Sequence, residues 1–331
     1  MNWEQFVNRL QASSAGMSLT LNFLLIVLII KRSPEQMGSY RYLMIYTALF
    51  EMFYSIVDVV ASPTIYSHEV MFLVIVSTKD SMFSKFATLL LLCLWCACFG
   101  SFMTLFCIQF AYRYFVVVGS KSLRTFNDYR IVFWIMIPIV SGTLWGIFTY
   151  FFMAPKMYSD LPELLLNELD FNVDYINFIG SRCYHKTANG DSEIDTDSLI
   201  GISFMMTVMT SSLSCLIYLA IKIFLRIRTT LSVSSMSNRH NRLQSQTFYS
   251  LVTQTLIPVI LMHLPCIMIM SAAMMGIDLG HSSGIVSVTF ALFPALDPLP
   301  VMLIIKNYRG TLWQVMSTSV NIFVRRQITS Q

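Results

Sequence analysis

Charged residues are scarce in this chain of 331 residues: Asp, Glu, Lys and Arg make up 12% of it, whereas 55% is hydrophobic. A soluble globular domain usually carries about 25% charged residues. A water-soluble surface needs more charge than this chain has, because polar groups must cover it. The scarcity of charge therefore excludes an ordinary soluble fold and favours a membrane protein.

The sequence also lacks the marks of a disulfide scaffold, a metal centre or a familiar enzyme site. Six of the seven cysteines lie inside apolar runs, and their spacing fits neither a disulfide framework nor a set of metal ligands. There is no Asn-x-Ser/Thr acceptor, no duplicated half of the kind found in many transporters, and no phosphate-binding glycine loop. We expect no cofactor, no metal, no nucleic-acid partner and no enzymatic activity.

Long apolar runs are what the chain does contain. About 20 apolar residues in a helix cross the ~30 Å hydrocarbon layer of a bilayer. Seven runs meet this requirement and predict an all-α membrane protein built as a seven-transmembrane helix bundle. The spans are expected at approximately residues 10–30, 42–65, 86–118, 131–153, 198–225, 248–275 and 284–305. A further apolar stretch, residues 70–77, is too short to span.

The distribution of Lys and Arg predicts the orientation. With the N-terminus outside, sixteen of the 22 basic residues fall in cytoplasmic segments, as the positive-inside rule requires. The long outer loop, residues 154–197, then carries nine acidic and three basic residues. We expect the N-terminus outside and a cytoplasmic tail, residues 306–331, containing an amphipathic helix on the inner membrane leaflet. Its apolar face would consist of Tyr308, Leu312, Val315, Met316, Val320 and Phe323.

Two carboxyl groups fall within the second span. Ionisable residues at bilayer depth are costly, so each needs a partner or a function. Glu51 and Asp58 are seven residues apart, and therefore share one face of a helix. Two interpretations remain open: hydrogen-bonded contacts between helices, or a polar floor for a ligand or an ion-linked switch, with Asp58 nearer the outside.

The third span has an aromatic face that ends in an arginine. Trp95, Phe99 and Phe102 are either packing residues of the bundle or part of a ligand site. Arg113, at the inner end, is either a positive-inside anchor or a latch between helices that also contacts a cytosolic partner. We favour the latch.

The sixth span contains a predicted hinge. Pro258 and Pro265 lie on one face, and each removes a backbone hydrogen bond and bends the helix. His263 is either a packing residue or lines a cavity above the hinge.

The seventh span contains a predicted distortion. Asp297 and Pro298 lie among further prolines, and the carboxyl group of Asp297 needs an internal partner. Asn22 in the first span is a plausible one.

Six short motifs along most of the chain resemble those of the nematode serpentine chemoreceptors of the Str/Srj group, which are G-protein-coupled receptors. The motifs are GSYRYLM at residues 38–44, CACF at 96–99, YRYF at 112–115, QTLIP at 254–258, PALDPL at 294–299 and IIKNYR at 304–309. The resemblance implies a chemosensory receptor in the cilia of sensory neurons. It also implies a small, often volatile, ligand and a heterotrimeric G protein as effector.

The chain departs from the broader rhodopsin-like pattern at several places, two of which concern the latch and a disulfide. Tyr112 stands where an acidic residue usually precedes the arginine, so the latch of Arg113 is expected to be weaker or built differently. Cys183 lies in the long outer loop, but Thr88 stands near the helix-three position where its partner cysteine would be expected. We expect no disulfide there.

These observations predict a two-state receptor in which a ligand, bound from the outside, favours a state whose cytoplasmic mouth accepts a G protein. The expected ligand contacts are Asp58, Trp95, Phe99, Phe102 and His263. The expected G-protein contacts are Tyr112, Arg113, Tyr114, Arg226, Arg228, Lys306 and Arg309. The expected switch and hinge residues are Asn22, Glu51, Pro258, Pro265, Asp297 and Pro298.

The alternative is a seven-span channel or transporter for a small solute. Glu51, Asp58 and Asp297 could begin a polar path through the membrane. The aromatic and methionine-rich spans, however, offer no continuous polar lining, and we favour the receptor.

Overall fold

The computed structural model describes residues 3–79, 83–156, 166, 173–186, 192–233, 238–314 and 317. Within this part of the chain, seven helices are long and apolar enough to cross a membrane. The predicted seven-helix bundle is therefore confirmed.

The first five long helices are continuous. They are α1 (Trp3–Arg32), α2 (Tyr40–Ala61), α3 (Lys85–Val118), α4 (Ile131–Phe152) and α5 (Thr196–Val233).

Helix α1 begins well before the expected start of the first span. Two polar side chains near the expected start of the span donate hydrogen bonds inside the bundle. Gln11 Nε2 donates to the carbonyl of Pro63 at 3.4 Å, and the Ser14 hydroxyl donates to the carbonyl of Ala291 at 2.5 Å.

The last two long helices are interrupted. Helix α6 consists of Asn238–Pro258, a π-helical turn at Val259–His263, and Leu264–Met275. Helix α7 consists of Ile285–Leu296 and Pro298–Ile304. A short helix α8 follows at residues 306–314.

Only part of the predicted amphipathic face of the tail is described. The side chain of Tyr308 is buried, and Leu312 packs against the same apolar cluster. Val315, Met316, Val320 and Phe323 lie outside the described residues.

A small β-sheet, which the sequence did not predict, covers one end of the bundle. Strands β1 (Thr64–His68), β2 (Met71–Ser77) and β3 (Ile176–Arg182) pair antiparallel in that order. A two-stranded pair, β4 (Tyr184–Lys186) and β5 (Ser192–Ile194), follows. We call this end of the bundle the sheet end and the opposite end, which carries Arg113 and α8, the arginine end.

The sheet corrects the expected end of the second span and accounts for residues 70–77. The second span ends at Ala61 rather than near residue 65, since Ser62 adopts a left-handed conformation with φ of 44° and ends the helix. The stretch of residues 70–77, too short to span, forms strand β2, whose aromatic and β-branched residues suit a buried strand.

Glycines allow α3 and α4 to approach closely. A Cβ atom at Gly100 would lie 2.7 Å from the Cβ of Trp145, which is closer than real contacts allow. Gly142 and Gly146 on α4 face α3 with similarly little room. This contact fixes the position of Trp145 relative to the centre of the bundle.

Candidate functional site

A small cavity lies directly beneath the sheet, among α3, α4, α5, α6 and α7. Its volume is about 40 Å³, whereas a single buried water needs about 10–15 Å³. The residues that line it are Ile65, Phe72, Val74, Trp95, Cys96, Phe99, Trp145, Met153, Ile179, Met205, Cys266, Ile269, Met270, Val286 and Phe290.

The lining is hydrocarbon, aromatic, thioether and thiol. The sheet supplies the roof through Ile65, Phe72, Val74 and Ile179, and the helices supply the walls. A surface of this kind offers dispersion contacts and burial of apolar area, and very little hydrogen bonding. The cavity can therefore hold a small uncharged molecule of low polarity.

The five predicted ligand residues divide into two groups. Trp95 and Phe99 line the cavity. Asp58 is buried beside it and accepts a hydrogen bond of 2.8 Å from the indole Nε1 of Trp95. His263 packs against Phe99, with 5.3 Å between ring centroids, and Phe102 lies one turn further along α3. The structure thus places Asp58 as a support for Trp95.

A buried polar cluster occupies the middle of the bundle. The side chains of Glu51 and Asp297 lie near each other, and both are almost completely buried. The hydrogen bond to Asp297 comes from Gln254, whose Nε2 lies 2.5 Å from Oδ2. Asn22 lies near Glu51 and donates to the carbonyl of Pro294 at 3.2 Å. The partner predicted for Asp297 was Asn22, whereas Gln254 supplies this hydrogen bond.

The two interrupted helices meet at this cluster. The π-helical turn of α6 lies between Pro258 and Pro265, and the carbonyl of Pro258 is 3.2 Å from Nδ1 of His263. The break in α7 falls at Asp297, immediately before Pro298. Both α6 and α7 therefore have irregular backbone next to the buried polar cluster. Helices bend most readily at prolines and π-helical turns, so these are the points at which either helix is expected to change direction.

At the arginine end, the guanidinium of Arg113 lies over the ring of Tyr40, 3.6 Å from its centroid. Arg113 is only 2% exposed, and the Tyr112 ring stacks against Tyr40 at 5.6 Å. The hydroxyl of Tyr40 donates to Gln109, which in turn donates to Thr47 at 2.7 Å. An aromatic and hydrogen-bonded contact thus ties α3 to α2 at the arginine end.

The other residues predicted to contact a G protein lie at the same end. Arg226 and Arg228 are exposed near the end of α5, and Lys306 and Arg309 are exposed on α8. Tyr114 is half-buried and packs against the apolar core. The arginine end therefore presents basic side chains around the buried Arg113.

Sequence reasoning missed three residues that the structure places at these sites. Tyr40 lay within a recognised motif, but nothing local indicates which ring Arg113 contacts. Gln254 is a polar residue in an apolar span, as Glu51 is. A polar residue in a span needs a partner, but the sequence does not say which residue that partner is. Trp145 carried no polar neighbour or periodic pattern, so only the packing of α3 on α4 reveals its position in the cavity wall.

Metal binding has no support in the part of the chain that the structure describes. No three His, Cys, Asp or Glu side chains gather there in a way that could hold an ion. Cys183 is a free and buried thiol, and burial raises its pKa.

Comparisons with known proteins agree with this architecture. Residues 7–313 match the sequence model of the family described as serpentine type 7TM GPCR chemoreceptor Str. The chain is 32% identical to the G-protein coupled receptor str-217 of Caenorhabditis elegans, over 95% of this chain and 91% of that receptor. It is 27% identical to the serpentine receptor class r-10 of the same species, over 94% and 91% of the two chains.

A more distant relative is the serpentine receptor class J-38 of Caenorhabditis elegans, which is 22% identical over 93% of both chains. The family match covers nearly the whole chain, and its seven spans agree with the seven helices of the structure. The family is one of receptors rather than of enzymes. The chain therefore belongs to the Str family of serpentine seven-transmembrane G-protein-coupled chemoreceptors.

Proposed function

We propose that this receptor detects a small, uncharged, largely apolar molecule in the cavity beneath the sheet and signals through a heterotrimeric G protein. The observation that carries the proposal is the apolar cavity beneath the sheet, which Trp95 and Phe99 line from α3 and Phe290 lines from α7. Its size and lining favour a volatile organic compound. A receptor for such a cue would act at the plasma membrane, in the cilium of a sensory neuron.

The orientation supports the same proposal. The positive-inside distribution of Lys and Arg supports an orientation with the arginine end in the cytosol and the N-terminus outside. The exposed Arg226, Arg228, Lys306 and Arg309 then face the cytosolic partner, around Arg113. The sheet and the cavity face the exterior, where a chemical cue arrives.

The route from ligand to partner runs through the buried polar cluster. His263 contacts Phe99 at the cavity and the carbonyl of Pro258 at the hinge. Beyond the hinge, Gln254 binds Asp297 on α7. A ligand that packs better when α6 is turned outward would shift the population toward that state by its difference in affinity. Opening of the arginine end would follow from the movement of α6.

The test is a panel of aliphatic alcohols, ketones and esters, with charged amino acids as the contrasting class, applied to cells that express the receptor with a calcium reporter. We expect responses to the uncharged class. Val286→Phe narrows the cavity and should weaken the potency of an active compound by about tenfold or more, a loss of about 1.4 kcal/mol.

The matched control is Val60→Phe, at an exposed position of α2 away from the cavity, where the same change should leave potency unchanged. Arg113→Ala should abolish the response at equal surface expression. Equal effects of Val286→Phe and Val60→Phe, or responses confined to charged compounds, would contradict the proposed site.

A further inference from the structure

The sheet closes the cavity toward its own end of the bundle. Its backbone is tied to α7, since the amides of Ile65 and Ser67 donate to the hydroxyls of Ser287 and Ser283 at 2.8 and 3.0 Å. It is also tied to α4, because the amide of Gly180 donates to the carbonyl of Met153 at 3.0 Å. A molecule passing through this roof would have to break backbone hydrogen bonds in a place that little water reaches.

A second and larger hollow lies on the membrane-facing side of the same cavity. It is a groove of about 790 Å³ between α4 and α5, open on the outside of the bundle. Its walls include Leu144, Phe148 and Phe151 from α4, with Phe204 and Val208 from α5. The groove is apolar, and its position on the helices places it within the hydrocarbon layer.

Trp145 lines both hollows. Its side chain is 6% exposed and touches Phe99 inside the cavity, with ring centroids 5.9 Å apart. The absence of a side chain at Gly100 is what lets it lie so close to α3. The indole of Trp145 therefore borders both the cavity and the groove, whereas the roof is a hydrogen-bonded sheet.

We propose that the ligand reaches the cavity sideways from the bilayer, through the groove between α4 and α5, with Trp145 as the gate. The ligand class rests on the proposed function. Each buried methylene group favours the hydrocarbon layer by about 0.8 kcal/mol, so an apolar compound is concentrated in the bilayer. Rotation of one side chain opens the route, and such rotations are fast compared with the opening of a sheet.

The experiment uses fluorobenzene as an apolar probe and the purified full-length receptor in lipid nanodiscs. Fluorine NMR separates bound probe from probe dissolved in the bilayer, and saturation transfer gives the exchange rate between them. Val208→Trp fills the groove without changing a residue of the cavity, and should slow exchange by about tenfold or more at an unchanged bound fraction. Trp145→Phe shrinks the gate and should accelerate exchange.

The matched control is Ile217→Trp, at an exposed position on the same helix outside the groove, which should leave the rate unchanged. Ser283→Ala loosens the roof by removing its hydrogen bond to Ser67, and should also leave the rate unchanged.

Three results would overturn the route. They are unchanged exchange in both Val208→Trp and Trp145→Phe, faster exchange in Ser283→Ala alone, and the absence of a bound resonance in the unmodified receptor. The readout requires no G protein. If the exchange rates behave as expected but the receptor does not signal, the proposed function is contradicted and the route stands. If the receptor signals but the exchange rates do not change as expected, the route is contradicted and the proposed function stands.

Discussion

At the scale of single residues, the contact between Arg113 and Tyr40 explains how α3 is held without an acidic neighbour at position 112. A guanidinium over an aromatic face is attracted by the ring quadrupole, and removal from water strengthens the attraction. Both side chains are almost completely buried, and the Tyr112 ring extends the stack. The sequence indicated that the latch differs from an ion pair. Only the structure identifies the aromatic ring on α2 that forms it.

Tyr40→Ala should raise signalling in the absence of ligand. The contact with Arg113 belongs to the state described here, and its loss removes about 2 kcal/mol from that state, which corresponds to a shift of roughly thirtyfold in the equilibrium. Tyr40→Phe keeps the ring and loses only the hydroxyl bonded to Gln109, so it should resemble the unmodified receptor. G-protein activation at matched surface expression measures both. If Tyr40→Ala shows no more signalling without ligand than Tyr40→Phe, the contact between the Tyr40 ring and Arg113 does not form the latch.

Trp95→Phe should destabilise the receptor. The change leaves the carboxyl group of Asp58 buried without its indole donor, at a cost of about 1.5–3 kcal/mol. The double variant Trp95→Phe with Asp58→Leu removes both polar partners and should recover much of the loss. Thermal unfolding in detergent decides the matter, and a double variant less stable than Trp95→Phe would show that Asp58 has other important partners.

At the scale of elements, the helices were predictable because the length of apolar runs matches the thickness of the bilayer, but their ends were not. Helix α1 begins at Trp3, and the side chains of Gln11 and Ser14, near the expected start of the span, donate to the turn after α2 and to α7. The sheet escaped prediction since a strand such as Met71–Ser77 has no mark that separates it from a short stretch of buried helix. Only its pairing with β1 and β3 identifies it.

The glycine contact between α3 and α4 gives a prediction at this scale. Gly100→Ala should lower the stability of the bundle by about 1–3 kcal/mol, because the added methyl group overlaps Trp145 and pushes α4 outward. Gly16→Ala on α1 meets no atom within 4 Å and serves as the control, which should be neutral or slightly stabilising. Parallel melting curves test the difference. Coincident curves would mean that α4 moves outward at no cost.

At the scale of the whole molecule, the orientation in the membrane follows from charge rather than from packing. Epitope tags at the two termini should be accessible from opposite faces of an intact cell, with the N-terminal tag outside, because sixteen of the 22 basic residues would otherwise lie on the wrong side. Antibody labelling before and after permeabilisation measures this. Labelling of both tags on unpermeabilised cells would remove the basis for placing the cavity outside and Arg113 inside.

The sequence by itself determined the number of helices, their approximate spans and the family, since these depend on local hydropathy and on ordered motifs along one chain. It also located the buried carboxyl groups and the prolines, because charge and missing amides are costly wherever an apolar span contains them. The tertiary structure decided which of these groups meet. Gln254 donates to Asp297, Arg113 lies over the ring of Tyr40, and Trp95 donates to Asp58. Such pairings depend on the rotation and spacing of neighbouring helices, which side-chain packing sets and no single helix encodes.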